Sequence, residues 1–337
     1  MGPLRGPTSS LAVFQMRRDG LRCRLRGMGF EMTRRSALAG LAASVSAYGL
    51  QLHGSGQVRL GAPIFLKSDD PAELAQEHRR LGYSAAYCPQ ADVREKDRVR
   101  AIETAFKKAN VVIAEVGAWK NMLDPDSGKR RENLHYVTER CALADAVGAR
   151  CCVDIAGSYD PTVWYGPNPK NLSKEFFDAT VENCRHIIDT VKPTRTKFTI
   201  EMMGWSIPDG PDSYVQLIRA VDRPAFGVHL DVCNGVNCPR RFYENSDFIG
   251  ECFQKLGRWV VSCHAKDLRW IPEMNVHFQE VVPGRGKIDY RRYLTELNRL
   301  QRDTPLMIEH LKTAEEYDEA AKYIRSVARE AGVQLAV

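Results

Sequence analysis

The feature that most constrains the fold is a regular alternation of short β-rich runs with amphipathic helical stretches from residue 56 onward. The β-rich runs fall at 58–65, 83–88, 111–119, 151–157, 198–203, 226–232, 259–267 and 306–311. Stretches with apolar residues at helical spacing separate these runs, and a last helical stretch follows the eighth. Eight such β-then-α units match a TIM barrel in both count and length. We therefore predict an α/β fold, a single-domain (β/α)8 TIM barrel over residues 56–337.

An open, doubly wound sheet is the alternative arrangement for the same order of elements. That fold usually carries a glycine-rich phosphate-binding loop after its first strand. Here the first β-rich run continues into LKSDDPAE, which contains no glycine. The sequence therefore favours the barrel.

Residues 1–55 precede the alternating pattern and are predicted to be a leader rather than part of the fold. The segment MTRRSALAGLAASVSA, which starts at Met32, places Arg34 and Arg35 before a run of small apolar residues and an A-x-A-like site. This arrangement is typical of a twin-arginine export signal. It predicts export to the periplasm if the leader is functional, and a cytoplasmic location otherwise. A disordered basic tail is the alternative interpretation.

The distribution of charge argues against a nucleic-acid partner. The formal net charge is +6, and residues 1–35 account for all of it, because they carry eight arginines and only two acidic residues. The remainder of the chain therefore has no net positive field that would attract phosphates. No apolar run approaches the 18 or so residues of a membrane span either.

Polar residues stand at the ends of the last four β-rich runs. They are Glu201 in TIEMM, Asp231 in HLDV, His264 in SCHAKD and Glu309 in MIEH. Barrel strands deliver their last residues to one face, where the active sites of this fold are assembled. Any one of these residues alone would more often be a hydrogen-bonded structural group, but three carboxylates buried together need a cation. We predict a divalent metal site, best suited to Mn²⁺, with Co²⁺, Mg²⁺ or Zn²⁺ as alternatives.

The Glu, Asp, His, Glu pattern at strand ends resembles the xylose-isomerase-like TIM-barrel superfamily, which includes sugar isomerases, ketose 3-epimerases and apurinic-site endonucleases. This resemblance covers most of residues 56–335. A narrower resemblance over 148–311 includes the runs GARCCVDIAGS, VKPTRTKFTIEMMGW, SCHAKD and EVVPGRGKIDY. These runs are similar to the metal-binding catalytic subunit of C-glycoside deglycosidases and related 3-keto-glycoside lyases.

Departures from neighbouring branches of the superfamily narrow the expected function. Ketose 3-epimerases carry a glutamate, a histidine and an arginine where this chain has Ile207, Asn234 and Trp270. A free-ketose epimerase is therefore less favoured. The endonuclease branch needs a trinuclear zinc site rich in histidine and a basic groove, whereas this chain has eight histidines in all, several of them in helical stretches.

The resemblance implies an enzyme that abstracts a proton next to a sugar carbonyl, with the metal ion chelating the carbonyl oxygen. A lyase acting on a 3-keto glycoside then eliminates the substituent at C1, and this is the predicted reaction. A sugar isomerase or epimerase, which returns the proton to another position, is the first alternative. A carbohydrate-binding barrel that keeps the metal but lacks turnover is the second.

Four residues are candidate proton carriers in such a reaction. Glu201 and Glu309 would serve as ligand and base together. Lys266 lies two residues after the strand-end histidine, so strand alternation points both to the same side, and a salt bridge to a rim carboxylate is its alternative role. His277 lies in the segment after the seventh run, where catalytic groups of this fold often reside. His229 is expected to lie one layer deeper in the barrel.

Substrate contacts are expected from the long segments that follow the strands. Trp164, Trp205 and Trp270 offer flat faces for a sugar ring or an aglycone. Asn234 is a polar candidate on the rim. Arg285 stands between two glycines in VPGRGK, and glycine permits a close approach of the backbone.

The resemblance also bears on partners. It implies a small-molecule sugar or glycoside substrate and a possible small β-sandwich subunit, because deglycosidases of this type pair with one. A homo-oligomer is compatible with the sequence, and neither nucleic acid nor a membrane is an expected partner.

Overall fold

The computed structural model describes residues 57–300 and 302–337. Its ten strands are β1 Val58–Gly61, β2 Ala85–Tyr87, β3 Val112–Gly117, β4 Cys151–Asp154, β5 Lys197–Glu201, β6 Phe226–Leu230, β7 Val260–Ala265, β8 Asp267–Trp270, β9 Phe278–Val281 and β10 Thr304–Ile308. Eight of them run parallel and close into a barrel in the order β1-β10-β7-β6-β5-β4-β3-β2. Because β1 pairs with both β10 and β2, the sheet closes on itself, which excludes an open doubly wound sheet. The predicted TIM barrel is confirmed.

Helices surround the barrel and connect its strands. They are α1 Pro71–Arg80, α2 Lys96–Lys108, α3 Ser127–Val147, α4 Lys174–Val191, α5 Pro211–Val221, α6 Val232–Gly235, α7 Pro239–Tyr243, α8 Asn245–Leu256, α9 Tyr290–Arg299 and α10 Ala314–Glu330. Several begin at a residue whose side chain accepts a hydrogen bond from the first turn: Asp70, Asp126, Ser173, Asp289 and Thr313. Such caps satisfy backbone N–H groups that have no partner within the helix.

Each predicted β-rich run overlaps one barrel strand. The runs are apolar along their length because a barrel strand packs against the barrel interior on one face and the helices on the other. The observed strands are shorter than most of the runs, because the runs also include residues just beyond the strand ends. The run 259–267, for example, contains β7 together with Lys266 and the first residue of β8.

The segment after β7, expected to be a loop, forms an antiparallel hairpin of β8 and β9. Asp267 anchors this hairpin to the segment that follows it. Its carboxylate accepts four backbone hydrogen bonds, from the N–H groups of Leu268, Gly284, Gly286 and Ile288. A Cβ atom at Gly286 would lie 2.1 Å from Asp267 Oδ1, so only glycine allows this approach. The expectation that these glycines permit close packing is confirmed at Gly286.

Replacing Asp267 with Ala is expected to destabilise the protein by roughly 3 kcal/mol or more, because four backbone N–H groups lose a charged acceptor. Urea unfolding followed by circular dichroism measures the change. Asp318→Ala is the matched control, since Asp318 is exposed and forms a surface ion pair with Lys322 on α10. Its loss should cost less than about 1 kcal/mol. An Asp267→Ala protein as stable as the wild type would contradict the anchoring role.

The predicted leader, with Arg34 and Arg35, lies outside the described residues. Its boundary at residue 55 and its export by the twin-arginine route stay predictions. Among residues 57–300 and 302–337, no helix combines the length and the apolar character needed to cross a membrane.

Candidate active site

Four polar side chains from neighbouring strands meet at the carboxyl end of the barrel. Glu201 is the last residue of β5, Asp231 follows β6, His264 lies near the end of β7 and Glu309 follows β10. One ligand atom from each lies within 4.8 Å of the others. We call these four residues the strand-end cluster. They are the residues that the sequence pattern places on the rim of the barrel.

The imidazole of His264 lies at the centre of the strand-end cluster. Its Nδ1 atom lies 2.8 Å from both Glu201 Oε1 and Glu309 Oε1. The same nitrogen lies 3.7 Å from Asp231 Oδ2. Asp231 also begins α6, where its Oδ1 atom accepts two backbone hydrogen bonds of 2.8 and 3.1 Å. This cap fixes the carboxylate, so that Oδ2 is the atom directed at the cluster.

Lys266 joins the cluster from the same side of the chain as His264, as strand alternation predicts. Its Nζ atom lies 2.8 Å from both Asp231 Oδ2 and Glu309 Oε1. Asn234 bridges this ammonium to the next carboxylate: its Oδ1 accepts from Lys266 at 3.2 Å, and its Nδ2 donates to Glu201 Oε1 at 3.3 Å. The ion pair weighed from the sequence as the alternative role of Lys266 is present.

The electrostatics of the cluster follow from burial and close charges. Burial alone would lower the pKa of Lys266, but Asp231, Glu201 and Glu309 outweigh it and raise that pKa well above its ordinary value. Burial raises the pKa of Glu201, although His264 and Lys266 oppose it. At Glu309, burial is outweighed by His264 and Lys266, which lower the pKa to about 2. Lys266 is thus held as a cation among carboxylates.

The donor set fits a divalent cation. With His264 neutral, as a metal ligand must be, three carboxylates less one ammonium leave two negative charges, which a divalent ion would balance. Asp231 Oδ2 and Glu309 Oε1 are buried, and within the described part of the chain neither has a donor in hydrogen-bond geometry, although Lys266 Nζ is near both. Carboxylate oxygens with one imidazole nitrogen are the donors that Mn²⁺ and related ions accept.

A second polar layer lies beneath the cluster, inside the barrel. Glu115 on β3 places Oε2 2.8 Å from His229 Nε2 and Oε1 3.2 Å from His264 Nε2. All three side chains are buried. Burial raises the pKa of Glu115, but the charges of His264 and His229 outweigh it, and the net shift is downward. His229 therefore lies one layer deeper, as predicted, and Glu115 holds the ring of His264 from below.

Replacing Glu115 with Gln is expected to weaken binding of Mn²⁺ by about 10–100-fold, the usual cost of losing a partner that orients a ligand imidazole. Gln keeps the shape of the side chain but removes the charge facing Nε2 of His264. Titration calorimetry with Mn²⁺ measures the affinity. Ser262→Ala is the control, because its hydroxyl lies 3.4 Å from the same carboxylate and carries no charge. Equal affinities for Mn²⁺ in wild type and Glu115→Gln would rule out the orienting role.

A cavity of about 830 Å³ opens onto the strand-end cluster. We call it the central cavity. Its apolar lining includes Trp119, Ile155, Trp164, Tyr165 and Met203. Its polar lining includes Glu201, Asn234, Lys266, Glu280, Glu309 and His310. The volume and the mixed lining are typical of a site for a small molecule.

Two of the predicted substrate contacts, Trp164 and Asn234, line the central cavity. Trp205 and Trp270 do not, and their side chains are 63% and 52% exposed. Trp270 is the last residue of β8, so the hairpin carries it away from the cavity. Ile207, which stands where ketose 3-epimerases carry a glutamate, is not in the lining either.

His277 and Arg285 are also held apart from the central cavity. His277 lies just before β9, half exposed, with Nδ1 2.7 Å from Glu273 Oε2. Arg285 makes two hydrogen bonds, of 2.7 and 2.5 Å, to Glu319 on α10. It lines a smaller neighbouring cavity of about 230 Å³, which shares Glu309 with the larger one. The structure thus brings three of the four candidate proton carriers to the cavity, and His277 is the exception.

Glu280, His310 and Trp119 are among the cavity residues that were not singled out from the sequence. Glu280 and His310 form a pair, with 2.9 Å between His310 Nδ1 and Glu280 Oε2. The sequence signal for His310 was its position directly after Glu309. Trp119 ends the third β-rich run, and its place at a strand end is a signal of the same kind.

Residues 72–327 match the family model described as "Xylose isomerase-like TIM barrel". That span is more than half of the chain. No curated protein sequence gives a significant match.

Solved structures with the same fold are numerous. A xylose isomerase-like TIM-barrel protein from Mycobacterium smegmatis, in complex with magnesium, is 18% identical over 77% of this chain and 88% of its own, with a TM-score of 0.56. A D-psicose 3-epimerase with D-tagatose from Clostridium cellulolyticum H10 is 14% identical over 82% and 99%, with a TM-score of 0.59. A 3-keto-D-glucoside 4-epimerase from E. coli is 12% identical over 80% and 100%, with a TM-score of 0.57. At these identities the likeness concerns the fold alone.

Proposed function

Because the chain belongs to the xylose isomerase-like TIM-barrel family, we propose that it is a divalent-metal-dependent enzyme that removes a proton next to a sugar carbonyl. The observation that carries this proposal is the position of the strand-end cluster. Three carboxylates and one imidazole lie together where a cavity of about 830 Å³ meets the barrel. A sugar derivative fits a cavity of this size and mixed lining.

A divalent ion held by Glu201, Asp231, His264 and Glu309 would polarise a sugar carbonyl and acidify the neighbouring C–H bond. The chain supplies the proton acceptor: the Glu201 and Glu309 carboxylates belong to both the cluster and the cavity lining. Lys266 lies beside them as an ammonium group and stabilises negative charge that develops on a substrate oxygen.

Within this class we propose an elimination from a 3-keto glycoside. A carboxylate takes the proton from C2, and the electron pair of that bond becomes the C1–C2 double bond. The substituent at C1 leaves with its bonding pair and takes up a proton. Asn234 supports elimination over epimerisation of a free ketose, because it stands where ketose 3-epimerases carry a histidine and it contacts Glu201 and Lys266 in the cavity. Ile207 and Trp270, the other two departures from the epimerase pattern, do not line the cavity.

Epimerisation is the second candidate. Similar structures include proteins that bear the names of epimerases, for D-psicose and for a 3-keto-D-glucoside. The first step, removal of a proton next to a carbonyl, is common to both candidates. They differ in whether the proton returns or the C1 substituent leaves.

Proton exchange tests the step that both candidate reactions share, the removal of a proton next to a sugar carbonyl. We expect Mn²⁺-loaded protein in D₂O to place deuterium at C2 of a 3-keto glucoside, and chelation of the metal to abolish the exchange. Proton NMR follows the loss of the C2 signal. No exchange with any keto glycoside or ketose, combined with retained sugar binding, would leave the non-catalytic carbohydrate-binding barrel as the function.

The identity of the ion and the assembly are parts of the same proposal. Mn²⁺ is the ion that we propose, on the basis of the oxygen-rich donor set. Metal analysis of protein purified without chelators tests it. A small β-sandwich subunit, a homo-oligomer and export by the leader are further proposals, which co-purification, light scattering and cell fractionation address.

A further inference from the structure

Trp119 is an aromatic side chain of the central cavity that lies close to the strand-end cluster. The centroid of its indole is 6.3 Å from that of the His264 ring, and the two planes are inclined by 36°. The side chain is 38% exposed, so one part of the indole faces the cavity. A flat apolar surface therefore lies next to the groups that would hold a metal ion.

The backbone of Trp119 adopts a conformation that side chains usually avoid. Its φ angle is 35°, in the left-handed region, which non-glycine residues occupy rarely and mostly where the surrounding structure imposes it. Both flanking residues are fixed by β4 and the residue that ends it. The N–H of Ala118 donates to Val153 O at 2.8 Å, and the N–H of Lys120 donates to Asp154 Oδ1 at 3.1 Å. The backbone that carries the indole is thus held in place before any ligand arrives.

Gly117 provides the space that this conformation needs. A Cβ atom at Gly117 would lie 2.2 Å from Trp119 Nε1 and 3.0 Å from two further indole atoms. The φ angle of Gly117 is not in the left-handed region, so the reason for glycine here is the close indole and not the backbone. The absence of a side chain at Gly117 and the left-handed φ angle of Trp119 together determine where the indole of Trp119 lies.

We propose that Trp119 is the stacking surface for the sugar ring of the substrate. One face of a pyranose presents mostly C–H groups, which meet the electron-rich face of an indole favourably. A sugar lying on Trp119 would share the central cavity with the carboxylates of Glu201 and Glu309. This assignment rests on the proposed function, because it takes the ligand of the strand-end cluster to be a carbohydrate ring.

The test compares Trp119→Ala, Trp119→Phe and Gly117→Ala with the wild type, all loaded with Mn²⁺. The probes are methyl β-D-glucopyranoside, for binding by calorimetry, and a 3-keto glucoside, for turnover. We expect Trp119→Ala to raise both the Kd of the first and the KM of the second by about tenfold, the effect of losing one aromatic contact. The kcat and the Mn²⁺ content should stay near the wild-type values, because no metal ligand changes. Phe should show a smaller loss.

Gly117→Ala should act in the same direction as Trp119→Ala, since the added methyl group displaces the indole. Trp259→Phe is the matched control: Trp259 lies just before β7, at the opposite end of the barrel, and packs against Arg258. Circular dichroism checks that each variant is folded. A Trp119→Ala protein with wild-type Kd and KM would overturn the stacking role, as would a wild type that binds no glycoside.

Failure of the stacking role of Trp119 can be distinguished from failure of the proposed function. A wild type that binds the methyl glucoside through Trp119 but converts neither keto glycosides nor ketoses would sink the proposed function and leave the stacking role intact. Turnover of a keto glycoside that is unchanged in Trp119→Ala would sink the stacking role and leave the proposed function intact.

Discussion

A Glu309→Gln variant is expected to fold as the wild type does, to bind the divalent ion more than about 100-fold more weakly, and to lose turnover. Loss of a residue that merely orients a ligand already costs about 10–100-fold in affinity, so loss of a direct ligand should exceed that range. Gln keeps the shape of the side chain but removes one of three carboxylate charges. The affected atom, Oε1, lies 2.8 Å from both His264 Nδ1 and Lys266 Nζ.

Metal content by mass spectrometry, circular dichroism and turnover of a 3-keto glucoside together measure the outcome for Glu309→Gln. Glu182→Gln is the control for loss of one negative charge, because Glu182 is exposed on α4 and distant in sequence from every strand end. It should keep wild-type metal content and rate. Full metal occupancy with normal turnover in Glu309→Gln would remove Glu309 from the proposed ligand set.

The second large effect concerns the substrate. Mn²⁺-loaded protein should release the aglycone from phenyl 3-keto-β-D-glucoside and leave phenyl β-D-glucoside intact. The reason is the acidity of the C2–H bond, which is high only when C3 is a carbonyl carbon. The keto group would therefore have to be introduced by a separate oxidation step. Chromatography of released phenol measures the reaction.

Glu309→Gln serves as the inactive control in this assay, and D-fructose as the competing substrate. If the protein epimerises D-fructose at C3 efficiently but releases no phenol from the keto glucoside, the epimerase becomes the better assignment. If release requires a second, small protein, the predicted β-sandwich subunit gains support while the assignment of the reaction is unchanged.

The strand-end cluster could be predicted from the sequence because it depends on two regularities. Parallel strands of a barrel end on one face, and each strand is an apolar run that stops at a polar residue. Glu201 and His264 both follow this pattern, so their positions in the sequence gave their positions in the fold. No detail of side-chain packing was required.

Glu115 could not be found in the same way, because it lies within its strand and not at the end. A glutamate in the middle of VVIAEVGAW is a visible anomaly, since an unpaired buried carboxylate is costly. Its partners, His229 and His264, lie 114 and 149 residues away. Only the closed barrel brings the three side chains together.

Trp119 and the β8–β9 hairpin are two further features that could not be predicted from the sequence. A left-handed φ angle at tryptophan has no signature in the sequence, unlike the same angle at glycine. The hairpin strands are short and half exposed, and the segment between them contains a proline, which is typical of a loop. For this reason Trp270 and His277 were expected in the cavity, although the hairpin turns both outward.

Asp267 anchors the base of the β8–β9 hairpin. Substitutions at this base would disturb the fold, whereas the tip of the hairpin tolerates them. Only Lys266 stands between β7, which carries His264, and the first residue of the hairpin. Four backbone hydrogen bonds fix that residue, whereas Met274 at the tip is fully exposed. The tip, residues 271–277, is therefore a segment in which substitutions and length changes would be tolerated without moving β7. Insertions at the tip would also leave the lining of the central cavity unchanged, because none of residues 271–277 contributes to it.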